Sequence, residues 1–222
     1  MRYVAIEGNV GAGKTTLIEL LKRHLDRDSE GEKKSPLREN GVDVVLEEEV
    51  QDWLPVLSAF YTAPAAHSLH LQLKVMLSRL AQLRRAALPP GKFAITERCI
   101  ESSSDVFISC LGRDGLMTRS EEDVYIQLYD MVKNTEDLDL VGVVYVNVSP
   151  ETCYARTVKR DRPGEQGVTL EYLTRLHEEY ARWMASLRSS GCPVLEIDGE
   201  QQETASFVET VVNGIVPMLG HV

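Results

Sequence analysis

The apolar run Tyr3-Val4-Ala5-Ile6 leads directly into Gly8-Asn9-Val10-Gly11-Ala12-Gly13-Lys14-Thr15, which fits the pattern G-x-x-x-x-G-K-[ST]. A strand that ends in a glycine turn and opens onto a helix aims several backbone N–H groups, and the positive end of the helix dipole, at one point. A polyphosphate suits that point. Lys14 would reach its β- and γ-phosphates, and the Thr15 hydroxyl would ligate Mg²⁺. Glycines permit the positive φ and the close approach of phosphate oxygens that such a loop requires. The opening residues therefore commit the chain to an α/β architecture that binds a nucleoside triphosphate.

The remainder of the chain repeats the strand-then-helix alternation of a parallel sheet with crossover helices. Strands are expected at Arg2 to Glu7, Val42 to Glu47, Lys92 to Glu97, Leu140 to Asn147 and Pro193 to Ile197. Helical stretches should begin near Lys14, Gln51, Ala65, Glu101, Glu121, Pro150, Thr169 and Glu200. The expected fold is an α/β P-loop fold, a five-stranded parallel sheet with helices on both faces and an arginine-rich lid. A chain of 222 residues fits one such domain over residues 1–222. The polar stretch from Asp26 to Gly41 reads as a flexible surface loop, and Leu111 to Gly115 as a break between helices.

Lys and Arg total 24 against 34 Asp and Glu, so the surface as a whole repels nucleic acid and anionic membranes. An anionic substrate then needs a local basic cluster. Cys99, Cys110, Cys153 and Cys192 have no C-x-x-C spacing, which argues against zinc or a disulfide framework. No apolar stretch approaches the ~20 residues of a membrane span, and strand and loop occupy the first positions, so a cytoplasmic location is expected.

In parallel sheets ligands sit beyond the carboxyl ends of the strands. After the second strand, Glu47-Glu48-Glu49 precedes Trp53. This is either a solvated acidic patch at a helix start or a proton acceptor beside an aromatic wall. After the third strand stands Glu97-Arg98. A carboxylate here could hold a metal and the Arg could stabilise charge on a transferred phosphoryl group, or the two could form a structural ion pair. Arg156, Lys159, Arg160 and Arg162 precede Pro163-Gly164-Glu165-Gln166-Gly167. They read as the basic cluster an acidic chain needs, a lid over about residues 156–167 that closes on phosphates. The alternative is a solvated basic face. Gln72, Val75 and Arg79 share one side of a helix, where a Gln could pair with a nucleobase edge or simply face water.

Together these residues resemble the deoxyribonucleoside kinase family, the group of deoxycytidine, deoxyguanosine and mitochondrial-type thymidine kinases. The matching pieces are EGNVGAGKTT, ending at Thr16, the run Glu48 to Trp53, Tyr61 ahead of Gln72, Glu97-Arg98, and Pro150 to Trp183. The resemblance implies transfer of the ATP γ-phosphate to the 5′-hydroxyl of a 2′-deoxyribonucleoside, with salvage of DNA precursors as the role and a homodimer as the form. It implies Glu48 as general base, Arg98 at the acceptor's 5′ end, and Glu97 with Thr15 serving Mg²⁺. Tyr61 and Glu165 would hold the sugar 3′-hydroxyl, and Gln72 would pair with the base. Trp53, Leu71 and Phe107 would line the base cleft, Arg156, Arg160 and Arg162 would form the lid, and Asp198 would lie near the adenine. Val75, Arg79 and Ser103 correspond to positions that tune base choice, and the set is mixed. Arg79 requires a carboxylate partner, with Glu101 or Asp105 as candidates, because a lone buried guanidinium is costly. Glu49, Cys99, Glu101 and Gly164 depart from the family's usual residues. A thymidylate-kinase-type monophosphate kinase is the nearest rival. A GTPase-type switch is disfavoured, since Asp139-Leu140-Val141-Gly142 runs into a strand and no N-K-x-D motif occurs.

Overall fold

The period-two alternation of β1 (Arg2–Glu7) sorts its side chains to two faces, and each face is buried in its own apolar core. Tyr3 and Ala5 join one core, Val4 and Ile6 the other. In the computed structural model, which describes residues 1–26, 35–200 and 205–220, β1 is the centre of a five-stranded, all-parallel sheet of order β2-β3-β1-β4-β5. The other strands are β2 (Val42–Leu46), β3 (Phe93–Glu97), β4 (Asp139–Asn147) and β5 (Val194–Asp198). Burial on both faces explains why their sequences read as continuous apolar runs.

The helices are α1 (Lys14–Asp26), α2 (Pro36–Glu39), α3 (Leu54–Thr62), α4 (Pro64–Ala86), α5 (Ile100–Ser102), α6 (Ser109–Arg113), α7 (Arg119–Glu136), α8 (Pro150–Arg160), α9 (Leu170–Ser189) and α10 (Ala205–Gly220). A π-helical stretch, Ser103–Ile108, joins α5 to α6. Core residues of α3, α4, α7 and most of α9 pack with Tyr3, whereas those of α1 and α10 pack with Val4. Local chemistry sets the helix starts. Thr118 and Glu121 form a reciprocal capping box on α7, with the Glu121 carboxylate accepting from Thr118 N at 2.8 Å. Ser149 caps α8 ahead of Pro150, and Thr169 Oγ1 accepts from Tyr172 N at 3.1 Å to start α9. Among the described residues, no helix is long and apolar enough to cross a membrane, and the four cysteines are unpaired.

β1 has the expected bounds, whereas one or both ends of every other strand differ by one residue from the hydropathy reading, because backbone register rather than side-chain polarity sets them. Asp139 pairs with Arg2 and Asp198 with Asn147, so both polar residues belong to strands. Glu47 leaves β2 and Pro193 precedes β5. The helix expected near Gln51 begins instead as a short 3₁₀ turn over Val50–Asp52. The one expected near Glu200 begins at Ala205, and 201–204 lie outside the described residues.

Residues 27–34 of the expected flexible loop also lie outside them, but its end is not a loop. Ser35 Oγ accepts from Leu37 N at 3.2 Å, Pro36 supplies a preset φ, and the resulting turn of helix places Leu37 fully in the core. The surrounding polar residues concealed this cap-proline-leucine signal. Leu37→Ala is expected to cost about 2–5 kcal/mol of stability by denaturant unfolding. A loss within about 0.5 kcal/mol, that of an ordinary surface change, would show that α2 is not anchored there.

Candidate active site

The phosphate loop is built on a close approach of three elements. Gly11 has φ +82°, and a Cβ there would lie 2.4 Å from the Cys153 carbonyl oxygen of α8, so only glycine fits. Asn9 is spent on the loop itself, its amide donating to Leu173 O at 2.8 Å and its Oδ1 accepting from Val10 N at 2.8 Å. Lys14 Nζ donates to Asn9 O at 2.8 Å, and burial together with the charge of Arg98 pushes its pKa down to about 8. Thr15 Oγ1 donates to Glu97 Oε1 at 2.9 Å across the gap between α1 and β3.

Glu97 forms no ion pair with Arg98 among the described residues; its second oxygen accepts from Glu48 N at 3.4 Å. Burial and the Glu48 charge raise its pKa. An under-compensated carboxylate beside a hydroxyl suits a hard cation. Among the described residues there is no cluster of three His, Cys, Asp or Glu that could hold a metal alone. A cation at Thr15 and Glu97 would need phosphate oxygens and water for its remaining positions, the usual habit of Mg²⁺.

The three consecutive carboxylates are separated by the turn they form. Glu47 pairs with Lys22 at 3.0 Å and Glu49 with Arg85, both at the surface. Glu48 turns inward, where Arg79 Nη2 lies 2.6 Å from Oε1 and Arg98 Nε 3.7 Å from Oε2. Burial pushes the Glu48 pKa up, but Arg79, Arg98 and Lys14 outweigh it and hold the carboxyl below its ordinary value. The expectation that Glu101 or Asp105 would neutralise Arg79 is therefore corrected. Glu101 accepts from Tyr3 OH at 2.6 Å and faces Lys133 at 3.7 Å, on the far side of the β3–α5 turn, whereas Glu48 approaches from the β2 side.

Arg98 is the strained residue of the site, with φ +63°. A non-glycine residue in this region costs on the order of 1–3 kcal/mol and persists only where its surroundings over-determine it. Here Arg98 N donates to Ile6 O at 3.0 Å and Thr96 Oγ1 donates to Arg98 O at 2.8 Å. Its guanidinium donates to Tyr180 OH, lies 3.6 Å from Glu7 Oε2, and stacks over Phe107 at 5.0 Å. Glu7, fully buried at the end of β1, also accepts from Cys99 N at 2.8 Å and Tyr180 OH at 3.0 Å. Sequence reading missed both Glu7 and Tyr180. The available signal was a carboxylate closing an otherwise apolar buried strand.

One cavity of about 400 Å³ joins these groups, within the usual range for a small-molecule site. Val10, Gly11, Gly13, Lys14, Thr15 and Thr16 line one end; Trp53, Leu71, Gln72, Val75, Arg79 and Phe107 line it as well, with Glu48, Glu97 and Arg98 also in its wall. Val50, Leu57, Phe60 and Tyr172 contribute too and were not anticipated. Gln72 is only 5 % exposed, and its side-chain amide makes no hydrogen bond among the described residues. The residues expected to form a lid, Arg156, Arg160, Arg162 and Glu165, reach the same cavity, Glu165 accepting from Arg160 at 2.6 Å and Arg162 at 3.5 Å. Arg156 donates to Gly199 O at 3.1 Å, tying α8 to the turn after β5. Burial and the Glu165 charge raise the Tyr61 pKa, and a Cβ on Gly167 would lie 2.7 Å from Tyr61 Cβ, so the segment after Glu165 packs directly on Tyr61. Gly8, Asn9, Ala12, Ser103 and Asp198 do not line the cavity. The first three are buried within the phosphate loop itself, Ser103 supports Arg79, and Asp198 accepts from Glu200 N at 2.9 Å.

Comparison with known proteins agrees with this architecture. The deoxynucleoside kinase family model matches residues 4–218. Human mitochondrial thymidine kinase 2 is 30% identical over 205 residues, covering 89% of this chain and 70% of that protein. Human deoxycytidine kinase is 30% identical over 200 residues, covering 83% and 75%, and a probable deoxycytidine kinase of fowlpox virus is 27% identical over 203 residues, covering 90% and 79%. With the match running from β1 into α10 and a single cavity joining the phosphate loop to a buried amide, the chain belongs to the deoxynucleoside kinase family.

Proposed function

We propose that this deoxynucleoside kinase transfers the γ-phosphoryl group of ATP to the 5′-hydroxyl of a 2′-deoxyribonucleoside, with Glu48 accepting the hydroxyl proton. The observation that carries the reading is the single cavity lined by Lys14, Thr15, Glu48, Arg98 and Gln72. The 5′-oxygen forms a bond to the γ-phosphorus as the bond to ADP breaks, and the proton passes to the Glu48 carboxylate. Little covalent chemistry is asked of the protein, so positioning and charge stabilisation dominate. Lys14 and Arg98 supply positive charge where the phosphoryl group passes. Arg156, Arg160 and Arg162 add more from the lid. Mg²⁺, held by Thr15 and Glu97, would neutralise charge on the β- and γ-oxygens.

At the other end Gln72 can donate and accept at once, which suits more than one base edge and supports mixed base acceptance. The thymidine and deoxycytidine kinases among the relatives make those two nucleosides the first to assay. The contact of the lid with Tyr61 supports Tyr61 and Glu165 as the sugar 3′-hydroxyl clamp. We extend the reading to a homodimer. Leu77 on α4 and Val124 and Met131 on α7 are 57%, 52% and 58% exposed, an apolar surface that a second copy would cover.

With ATP and Mg²⁺, thymidine or deoxycytidine should be turned over and thymidine monophosphate should not, because the Glu48 and Glu97 carboxylates disfavour a phosphate on the acceptor; the reverse preference would favour the monophosphate kinase reading. Glu48→Gln is expected to lower kcat by roughly 10²-fold or more with a smaller change in KM. Near-normal turnover would place the proton acceptor elsewhere. Sedimentation equilibrium should give twice the mass of the chain, with Leu77→Glu shifting it toward the monomer, and a monomeric parent would contradict the dimer.

A further inference from the structure

Arg79 was singled out as a residue facing the base, but most of its hydrogen-bonding capacity is used elsewhere. Nη1 donates to Cys99 O at 2.9 Å and to Ser103 Oγ, and Nη2 donates to Glu48 Oε1 at 2.6 Å. It is 7 % exposed, and Nε is buried without a hydrogen-bond partner. Four elements thus meet on one guanidinium: α4, which carries it, the β3–α5 turn, the π-helical stretch that begins at Ser103, and the turn after β2 that carries Glu48. Cys99 directly follows the strained Arg98, so the mount on Cys99 O fixes Arg79 to the same turn that places the second arginine on Glu48.

The geometry points to Arg79 as a positioning residue for Glu48: clamped to the Cys99 carbonyl and the Ser103 hydroxyl, it holds Oε1 so that Oε2 is the oxygen presented to the acceptor's hydroxyl. This rests on the reading of Glu48 as proton acceptor and adds to it. A carboxylate at the end of a short loop would otherwise turn about its side-chain torsions. The charge-assisted bond from Arg79 Nη2, roughly twice as strong as a neutral one, restricts that rotation, and the guanidinium is itself fixed by Cys99 O and Ser103 Oγ. Ser103 is essential to the division of labour. It is neutral, so Arg79 finds its carboxylate in Glu48, whereas an acid at 103 would compete for the guanidinium.

Two consequences separate this role from base recognition. A residue that reads the base changes substrates unequally and acts largely through KM, whereas one that orients Glu48 lowers kcat for every acceptor by a similar factor. A residue that acts through Glu48 also has no effect once Glu48 cannot accept a proton.

The test is a double-mutant cycle on the full-length enzyme with ATP and Mg²⁺, using Arg79→Met, Arg79→Lys, Glu48→Gln and the pairs, with thymidine and deoxycytidine each as acceptor. Arg79→Met should lower kcat by roughly tenfold or more for both nucleosides, on the scale that a misplaced catalytic group costs. Arg79→Lys, which restores one charged donor, should recover part of that loss, and it serves as the working variant if the Met variant's thermal unfolding shows it does not fold. In the Glu48→Gln background either change at 79 should cost less than twofold. Full additivity of the two losses would overturn the proposal, as would a loss confined to one nucleoside or to KM. Normal turnover by Glu48→Gln alone would overturn both this proposal and the reading beneath it, whereas additivity with a strongly impaired Glu48→Gln would overturn the positioning role only.

Discussion

Everything at the centre of this molecule depends on keeping Arg98 and its carboxylates together in the dry end of a parallel sheet. Arg98 lies between Glu7 at 3.6 Å and Glu48 at 3.7 Å, all three buried or nearly so. Removing one partner from such a group typically costs 3–5 kcal/mol, because an uncompensated charge stays behind. The network is thus weak evidence for stability and strong evidence for constraint. It exists because β1 and β3 are parallel neighbours in register, Ile6 opposite Glu97, which brings the ends of both strands to one place. The positive φ of Arg98 is the local cost of bending its side chain back over that place.

From this centre the rest of the site follows in physical order. Lys14 is drawn close enough to Arg98 for its pKa to fall, and bound phosphates would restore the charge it prefers. Glu97 keeps Thr15 and the Glu48 backbone at fixed distances, linking the phosphate loop to the turn after β2. Arg79 completes the ring from α4. The proposed lid segment is held by a smaller copy of the same logic, Arg160 and Arg162 on Glu165, with Gly167 allowing the chain to lie on Tyr61. Because Arg160 and Arg162 are already paired in this arrangement, phosphates entering the cavity would compete with Glu165 for them.

How much of this was legible in the sequence varied with the range of the interaction. The phosphate loop was readable because its requirement is local, glycines where a Cβ cannot fit and a strand before a helix. The five strands and their order of appearance were readable because burial on both faces leaves an apolar run. Glu48 could not be told from Glu47 and Glu49 by spacing, since the choice is made by a turn that points one inward and gives the others to Lys22 and Arg85. The partner of Arg79 lies 31 residues away on another element, and no periodicity reports such a pair. Glu7 was hidden for a different reason. A carboxylate at a strand end is usually a solvated residue, and only the burial supplied by Tyr180 and Cys99 changes its meaning. The short helix at Pro36–Glu39 was concealed by polar neighbours, although its cap and its leucine were in plain sight.

The central claim is that Glu48 and Arg98 meet the acceptor's 5′ end while the phosphate loop holds the donor. A crystal structure of the chain with a deoxyribonucleoside and a non-hydrolysable ATP analogue tests it most directly. The account predicts the 5′-oxygen within about 2.6–3.2 Å of the Glu48 carboxylate, with the sugar 3′-hydroxyl against Tyr61 and Glu165 and the base edge on Gln72. A nucleoside bound with its 5′-oxygen turned away from Glu48, or with its base at the phosphate loop, would contradict it.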